Sequence, residues 1–189
     1  MYLYQPCLLS MSLFAWAFEE TSGRERWLEI LTPLCILALS EAELIFSRIR
    51  LYPAGLLFPL PFMWRRVRSA SWGRVLIAAL SGALLSWKAA DAWPLFTAIQ
   101  PLCAGLLLIP AFLFCRERED RLLACALGSL AYELFFCMRE YMLFAFCILR
   151  LGSRDALSLG TMGVCILLLF RSDFFHRPVR KNHPLLIRN

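Results

Sequence analysis

The stretch WPLFTAIQPLCAGLLLIPAFLF, residues 93–114, decides the class of fold, because it contains 22 residues and no charge. An apolar helix needs about 20 residues to cross the roughly 30 Å hydrocarbon core of a bilayer. As a helix this stretch would be about 33 Å long at 1.5 Å per residue, which suits a modestly tilted span. Pro94, Pro101 and Pro110 are the expected kinks. The sequence therefore predicts a membrane-spanning helix here.

The composition of the whole chain also indicates that the protein lies in a lipid bilayer. Of its 189 residues, 60% are hydrophobic and 18% are charged, against roughly 45–50% and about 25% in ordinary soluble domains. Too few polar side chains would remain to cover the surface of a soluble fold of this length. We expect one transmembrane helical domain over residues 1–170 and a basic, flexible cytoplasmic tail over residues 171–189.

Six further apolar stretches predict an all-α, polytopic transmembrane helix bundle of about seven spans. They cover residues 1–18, 27–46, 51–64, 75–92, 122–149 and 151–170. The stretch 51–64 is the weakest, because its 14 residues include three prolines and an unbroken helix cannot accommodate them. It would be a re-entrant segment, a broken helix or a span completed by its flanks. Six spans are the alternative count.

The distribution of Lys and Arg predicts the orientation, because positively charged loops tend to remain in the cytoplasm. With seven spans, 14 of the 20 basic residues fall on one side and five on the other, while Arg139 lies within a span. We expect a cell membrane protein with its N-terminus outside and its C-terminus in the cytoplasm.

The net charge of +6 is spread over short runs between the spans, which favours anionic lipid headgroups over nucleic acid as the partner. The side chains expected to contact headgroups are Arg65, Arg66, Arg68, Arg177, Arg180 and Lys181.

Ionisable residues within the predicted spans are the candidates for a functional site, because a charge at mid-bilayer costs at least about 2.5–3.5 kcal/mol on insertion scales. Glu133 lies deepest, and Glu140, seven residues later, falls on the same face of a helix. Two carboxylates that face the bundle interior would bind a cation or relay a proton. The remaining candidates for this intramembrane polar site are Arg139, Glu41, Glu43 and Gln100.

Structural roles are the alternative for these residues. Glu133 would pair with a neighbouring helix while Glu140 reaches the interface, and Arg139 would reach the interface too or pair with Glu41 or Glu43. The last two residues cannot both face one site, since they lie about 200° apart around a helix. Gln100 is expected to form hydrogen bonds between helices.

Catalytic motifs are scarce in this sequence. Residues 19–24, EETSGR, fit the pattern EExxxR, which is similar to the first motif of the CAAX-processing family of intramembrane metalloproteases. The histidines that such metal chemistry needs are missing from the spans, because the two in the chain, His176 and His183, lie in the tail. We therefore expect no catalytic residue, no cofactor and no metal site, and the sequence leaves enzymatic activity open.

The layout of the chain resembles that of the YphA-like small multi-pass membrane proteins of Gram-positive bacteria. The shared features are an apolar start without a basic residue over 1–18, a charged turn through Arg26, and short spans up to residue 170 before a basic tail. The resemblance implies a bacterial cytoplasmic membrane and no assigned activity.

Two functions follow as hypotheses from this layout and these residues. We expect a structural, interaction or assembly component whose partner would be another membrane protein. The alternative is a component of a small-solute or ion transporter or channel that uses the intramembrane carboxylates.

Overall fold

The computed structural model describes residues 4–18, 23–66, 71–92, 99–144 and 148–171, and these residues are mostly helical. The described helices are α1 (Tyr4–Phe18), α2 (Gly23–Ala38), α3 (Pro53–Leu57), α4 (Leu60–Arg66), α5 (Trp72–Ala92), α6 (Ile99–Phe114), α7 (Arg118–Phe144) and α8 (Arg154–Arg171). The described strands are β1 (Leu44–Phe46), β2 (Ile49–Leu51) and β3 (Leu149–Leu151). The prediction of a helical fold class is confirmed.

Helices α5 and α6 are antiparallel and pack closely through small residues. A Cβ added to Gly82 of α5 would lie 3.1 Å from the carbonyl oxygen of Leu107 on α6. Four residues on, the Ser86 hydroxyl donates a hydrogen bond to the carbonyl of Cys103 at 2.8 Å. The close approach is what helices achieve when small side chains line their contact.

Helix α7 runs parallel to α5, with α6 between them in the chain. Gly128 of α7 lies against the backbone of Ala79 on α5. Arg139 lies 11 residues after Gly128 on α7, and Asp91 lies 12 residues after Ala79 on α5. These two side chains form an ion pair at 2.8 Å. The directions of α5, α6 and α7 therefore alternate.

Helix α8 is antiparallel to α7 and approaches it most closely at a glycine. A Cβ added to Gly160 would lie 2.6 Å from Ser129 Oγ and 2.9 Å from Cε1 of Phe58. A Cβ added to Gly163 would meet Cys125 at an ordinary 3.7 Å. The close approach of this helix therefore depends on the missing side chain at Gly160.

The alternating directions give the bundle two ends. The arginine end, where α4 finishes and α7 starts, is defined by Arg66 and Asp120, which form an ion pair. The carboxylate end, where α8 starts, is defined by Glu133 and Ser153, which are hydrogen bonded. Asp120 and Glu133 are 13 residues apart on α7, or about 20 Å at the rise of an α-helix.

Residues 53–66, where the doubtful third span was predicted, connect these two ends. Gly55 of α3 lies directly against Gly152 at the carboxylate end. At the other end of the segment, Arg66 pairs with Asp120 of α7 at the arginine end. The segment therefore passes along the bundle, although it is too irregular to form one helix.

A break at Phe58 and Pro59 divides this segment into α3 and α4. Of the alternatives that the three prolines left open, the structure has the broken helix. Both residues at the break are almost fully buried. Irregular backbone is tolerated at membrane depth when protein surrounds it, and that condition is met here.

A small sheet at the carboxylate end corrects two helix predictions. Strands β1 and β2 form an antiparallel hairpin, and β2 pairs in parallel with β3. Helix α2 therefore ends at Ala38 instead of continuing to residue 46, and α7 ends at Phe144 instead of continuing to residue 149. The physical reason is that β1 and β3 pair with the two edges of β2, so their backbone hydrogen bonds are made in the sheet and not in a helix.

Two helices in the described part of the chain are long and apolar enough to cross a membrane, namely Trp72–Ala92 and Arg118–Leu143. Two further apolar helical stretches, Pro53–Trp64 and Gln100–Phe114, are shorter. By this criterion the expected count of about seven full-length spans is too high, because the break in 53–66 and the strands shorten the predicted segments. Residues 93–98 of the predicted fifth span lie outside the described residues.

Candidate functional site

Glu133 lies inside the bundle with only 6% of its surface exposed. Its Oε2 accepts a hydrogen bond from the Gly152 N–H at 2.5 Å, and its Oε1 accepts one from the Ser153 N–H at 2.7 Å. Both donors are uncharged backbone groups. Because these two residues directly precede α8, the carboxylate also faces the positive end of that helix dipole.

Gly152 gives the chain the conformation that presents these two N–H groups. Its φ is +78°, a value that residues with a side chain rarely adopt. A Cβ at this position would lie 2.5 Å from the carbonyl oxygen of Tyr52 and 2.8 Å from the nitrogen of Leu56. Both the backbone conformation and the crowding therefore require glycine.

A cavity of about 230 Å³ lies beside Glu133 at the carboxylate end. It brings together Glu133, Glu140 and Gln100, three of the residues that the sequence proposed for an intramembrane polar site. Residues that the sequence analysis did not single out complete the polar lining, namely Tyr132, Arg150, Ser153 and Asp155. Arg150 enters it from β3, which no helical pattern predicts, and Asp155 enters from the first turn of α8.

Gln100 joins α6 to α8 at the wall of this cavity. Its Nε2 donates a hydrogen bond to Asp155 Oδ1 at 3.3 Å, and its Oε1 accepts one from the Ser158 hydroxyl at 3.3 Å. These contacts are the interhelical hydrogen bonds that were expected of it. They hold the Asp155 carboxylate at the cavity with a neutral partner.

Arg139, Glu41 and Glu43 do not line this cavity. Arg139 pairs with Asp91 of α5, which corrects the prediction that it would pair with Glu41 or Glu43. The reason is that α2 ends before the two glutamates, so they lie in the connection to the hairpin. Each of them instead binds one arginine and one tyrosine, Glu41 with Arg154 and Tyr4, and Glu43 with Arg50 and Tyr52.

A second polar cluster, at the arginine end, was not predicted. The Arg66 side chain is 10% exposed, and its Nη2 lies 3.0 Å from Oδ1 of Asp120, which is 6% exposed. Its Nη2 also binds Glu117, and its Nε lies 3.5 Å from Glu119. The guanidinium of Arg66, which the sequence predicts to contact lipid headgroups, is held here by carboxylates of the same chain.

The ionic state of Arg66 is secured by these partners. Burial lowers the pKa of the guanidinium, but hydrogen bonds to Asp120 and Glu117 raise it by more, so the pKa lies above its ordinary value. The other basic residues expected to contact lipid headgroups are Arg65, Arg68, Arg177, Arg180 and Lys181. The side chain of Arg65 and the whole of the other four residues lie outside the described parts of the chain.

The chemistry of the cavity is that of charge and hydrogen bonding. Among the described residues there is no group of three or more His, Cys, Asp or Glu side chains that could hold a metal ion. Comparison of the chain with protein-family models, with curated proteins and with solved structures finds no match. The fold and site define a helical bundle with a carboxylate-lined cavity at one end, and its function is argued from that site.

Proposed function

We propose that this chain is a multi-pass membrane protein whose helices cross the bilayer, with the arginine end and the carboxylate end towards opposite sides of it. Only 39% of the most apolar window of α5 and 50% of that of α7 are buried, whereas the core helix of a soluble protein is mostly buried. Large apolar side chains point outward along the helices, including Leu80, Leu113 and Met142 at 51%, 74% and 69% exposure. Lipid is the solvent that suits such a surface.

In this proposal the arginine end faces the cytoplasm. It carries Arg74 in the first turn of α5, and it carries Arg116, Arg118 and Arg121 around the start of α7. Basic residues close to span ends favour the cytoplasmic side. Location in a bacterial cytoplasmic membrane stays a prediction based on the YphA-like layout.

The role that the geometry supports best is that of a structural, interaction or assembly component. The observation that carries it is that polar groups of neighbouring helices bind one another. Glu133 binds the backbone before α8, Arg139 joins α7 to α5, and Gln100 joins α6 to α8. These polar groups make a rigid bundle whose outer apolar surface is free to contact another membrane protein.

Photo-crosslinking in the membrane tests this role. A photoreactive amino acid at Leu80 or Leu113, both exposed, would form a discrete adduct with a protein partner from one of the two faces. The same group at buried Val164 is the control and would react only within the chain. Adducts with lipid alone from every exposed position would contradict the interaction role.

A second candidate function is that of a small-solute transporter component, and the cavity is the observation that favours it. Glu133, Glu140 and Gln100 line one space that opens at the carboxylate end. Below it the helices are tightly packed, with Gly128 and Gly82 both against Leu107. Passage of a solute would therefore require these helices to separate.

Flux measurements test this second candidate. The purified full chain would be placed in liposomes and the uptake of small cations compared with that of a Glu140→Gln variant. The expected result is a reduced rate in the variant. Equal flux in both, or flux no greater than in empty liposomes, would contradict the transport role.

A further inference from the structure

We propose that the cavity at the carboxylate end is a binding site for a small organic cation with a primary ammonium group and an apolar body. The inference rests on the second candidate function above and adds the chemical class of the ligand. Three properties of the cavity carry it, namely its charge, its aromatic wall and its size.

The cavity is lined by more carboxyl groups than basic groups. Glu133 is hydrogen bonded to two backbone N–H groups and Asp155 to the amide of Gln100, and none of these donors is charged. Among the described residues no ion pair to either carboxylate is found. Glu140 adds a third carboxyl group to the lining and Arg150 one guanidinium, so acidic side chains outnumber basic ones three to one. A cation is the ligand that this charge favours.

An aromatic wall faces the carboxylates. Tyr132 and Phe136, one turn apart on α7, have ring centroids 6.5 Å apart and both line the cavity. The faces of aromatic rings attract cations, and they also pack against apolar groups. Leu159 and Cys103 add apolar surface beside them. An ammonium group suits the carboxylates of this lining, and an apolar body suits its aromatic and apolar side chains.

The size of the cavity separates an organic cation from a metal ion. Its volume of about 230 Å³ exceeds several-fold the roughly 30 Å³ that one water occupies in the liquid. The described carboxylates do not converge as a set of three or more that could hold one metal ion. A cavity of this volume has room for a molecule of several heavy atoms.

Three probes of similar size test the ligand class. The full chain in lipid nanodiscs would be titrated with 2-phenylethylammonium, 2-phenylethanol and 3-phenylpropionate by calorimetry at about pH 7, where the amine is protonated. Because a charge-assisted hydrogen bond adds more than a neutral one, the ammonium should bind about tenfold tighter than the alcohol. Binding of the ammonium no tighter than the alcohol would overturn the inference.

Matched variants assign the binding to this cavity. Asp155→Asn keeps the size of the side chain and removes its charge, so ammonium binding should weaken about tenfold while alcohol binding stays unchanged. Glu43→Gln is the control, because this carboxylate lies at the same end of the bundle outside the cavity. Arg150→Gln removes the guanidinium of the lining and should tighten ammonium binding. Wild-type affinity in both cavity variants would overturn the assignment.

The outcomes distinguish this inference from the function on which it rests. Preferred binding of the alcohol or of 3-phenylpropionate would overturn the ligand class, while the cavity would stay a solute site compatible with transport. Absence of binding by all three probes to the folded chain would overturn both. Thermal unfolding of each variant beside the wild type establishes that the fold is intact.

Discussion

Glu133 is stable inside an apolar bundle because two backbone N–H groups before α8 replace its water shell. A buried charge without such partners costs several kcal/mol, and in practice it is hydrogen bonded or neutralised. The two donors need an acceptor as much as the carboxylate needs donors, since they belong to the unsatisfied N-terminal region of a helix. Glu133 therefore holds the start of α8 against α7.

Replacement of Glu133 by Gln should lower the free energy of unfolding by about 2 kcal/mol or more. The amide keeps one acceptor oxygen but turns an NH₂ donor towards a buried N–H, so one hydrogen bond is lost and a donor is left unsatisfied. Chemical unfolding in bicelles, followed by circular dichroism, would measure the change.

Glu43→Gln is the control for this measurement. The Glu43–Arg50 ion pair is 30% and 38% exposed at its two side chains, and exposed pairs contribute about 1 kcal/mol or less. Equal stability of Glu133→Gln and the wild type would show that the two N–H groups do not depend on the carboxylate.

Arg66 and Asp120 provide a second test at this scale. Removal of the cation in Arg66→Met leaves a buried carboxylate without its partner and should cost about 3–5 kcal/mol. The double variant Arg66→Met/Asp120→Asn should recover much of that loss, which a double-mutant cycle measures. Arg74→Met, an exposed residue near the same end, should be nearly neutral. Additive effects of the two single changes would refute the coupling.

The sequence singled out several of these residues but not their partners. The depth of Glu133 and the helix-to-helix role of Gln100 follow from their places in apolar stretches. The backbone donors at Gly152 and Ser153 do not, because no local pattern says that a carboxylate about 20 residues earlier will reach them. The Arg139–Asp91 pair likewise depends on the parallel alignment of α7 and α5, which only the tertiary structure determines.

At the scale of elements, glycine sets the distance between helices. Apolar helices in lipid gain little from burying their side chains against each other, so close van der Waals packing and hydrogen bonds hold them together. Gly160 allows α8 to approach both α7 and the broken segment, since Ser129 and Phe58 fill the space where a Cβ would lie.

Gly160→Ala should therefore destabilise the bundle by about 1–3 kcal/mol, the usual cost of extra volume in a packed interior. Gly105→Ala is the matched control on α6, because no atom lies within 4 Å of its added Cβ. That change should be neutral or stabilising by about 0.5–1 kcal/mol, since Ala favours the helix. Thermal unfolding of the two variants gives the comparison, and equal destabilisation would contradict the packing described.

The positions of most helices were predictable, and the sheet was not. Apolar runs bounded by charges give α5, α6 and α8 to within a few described residues, and the three prolines of 51–64 excluded an unbroken helix there. Residues 44–46 and 149–151 read as continuations of apolar helices. Each strand has only three residues. A strand this short cannot show the alternation of apolar and polar residues by which strands are recognised in a sequence.

At the scale of the whole molecule, clusters of polar groups mark the two ends, and exposed apolar side chains lie along the helices and on the hairpin. Arg66 binds its carboxylates at one end, and the hairpin and the cavity lie at the other. Trp64, near the arginine end, is 87% exposed, which suits an aromatic side chain at a membrane interface. The central claim of the proposed function is that the two ends face opposite sides of a bilayer.

Cysteine labelling with a membrane-impermeant maleimide tests this claim most directly. Ser47 lies at the tip of the hairpin and Ser71 directly before α5, so Ser47→Cys and Ser71→Cys report on opposite ends of the bundle. Mass spectrometry of the labelled peptides separates these sites from the native cysteines. In intact cells the account predicts labelling of Ser47→Cys, and labelling of Ser71→Cys only after permeabilisation. Labelling of both positions from the same side of the membrane would contradict it.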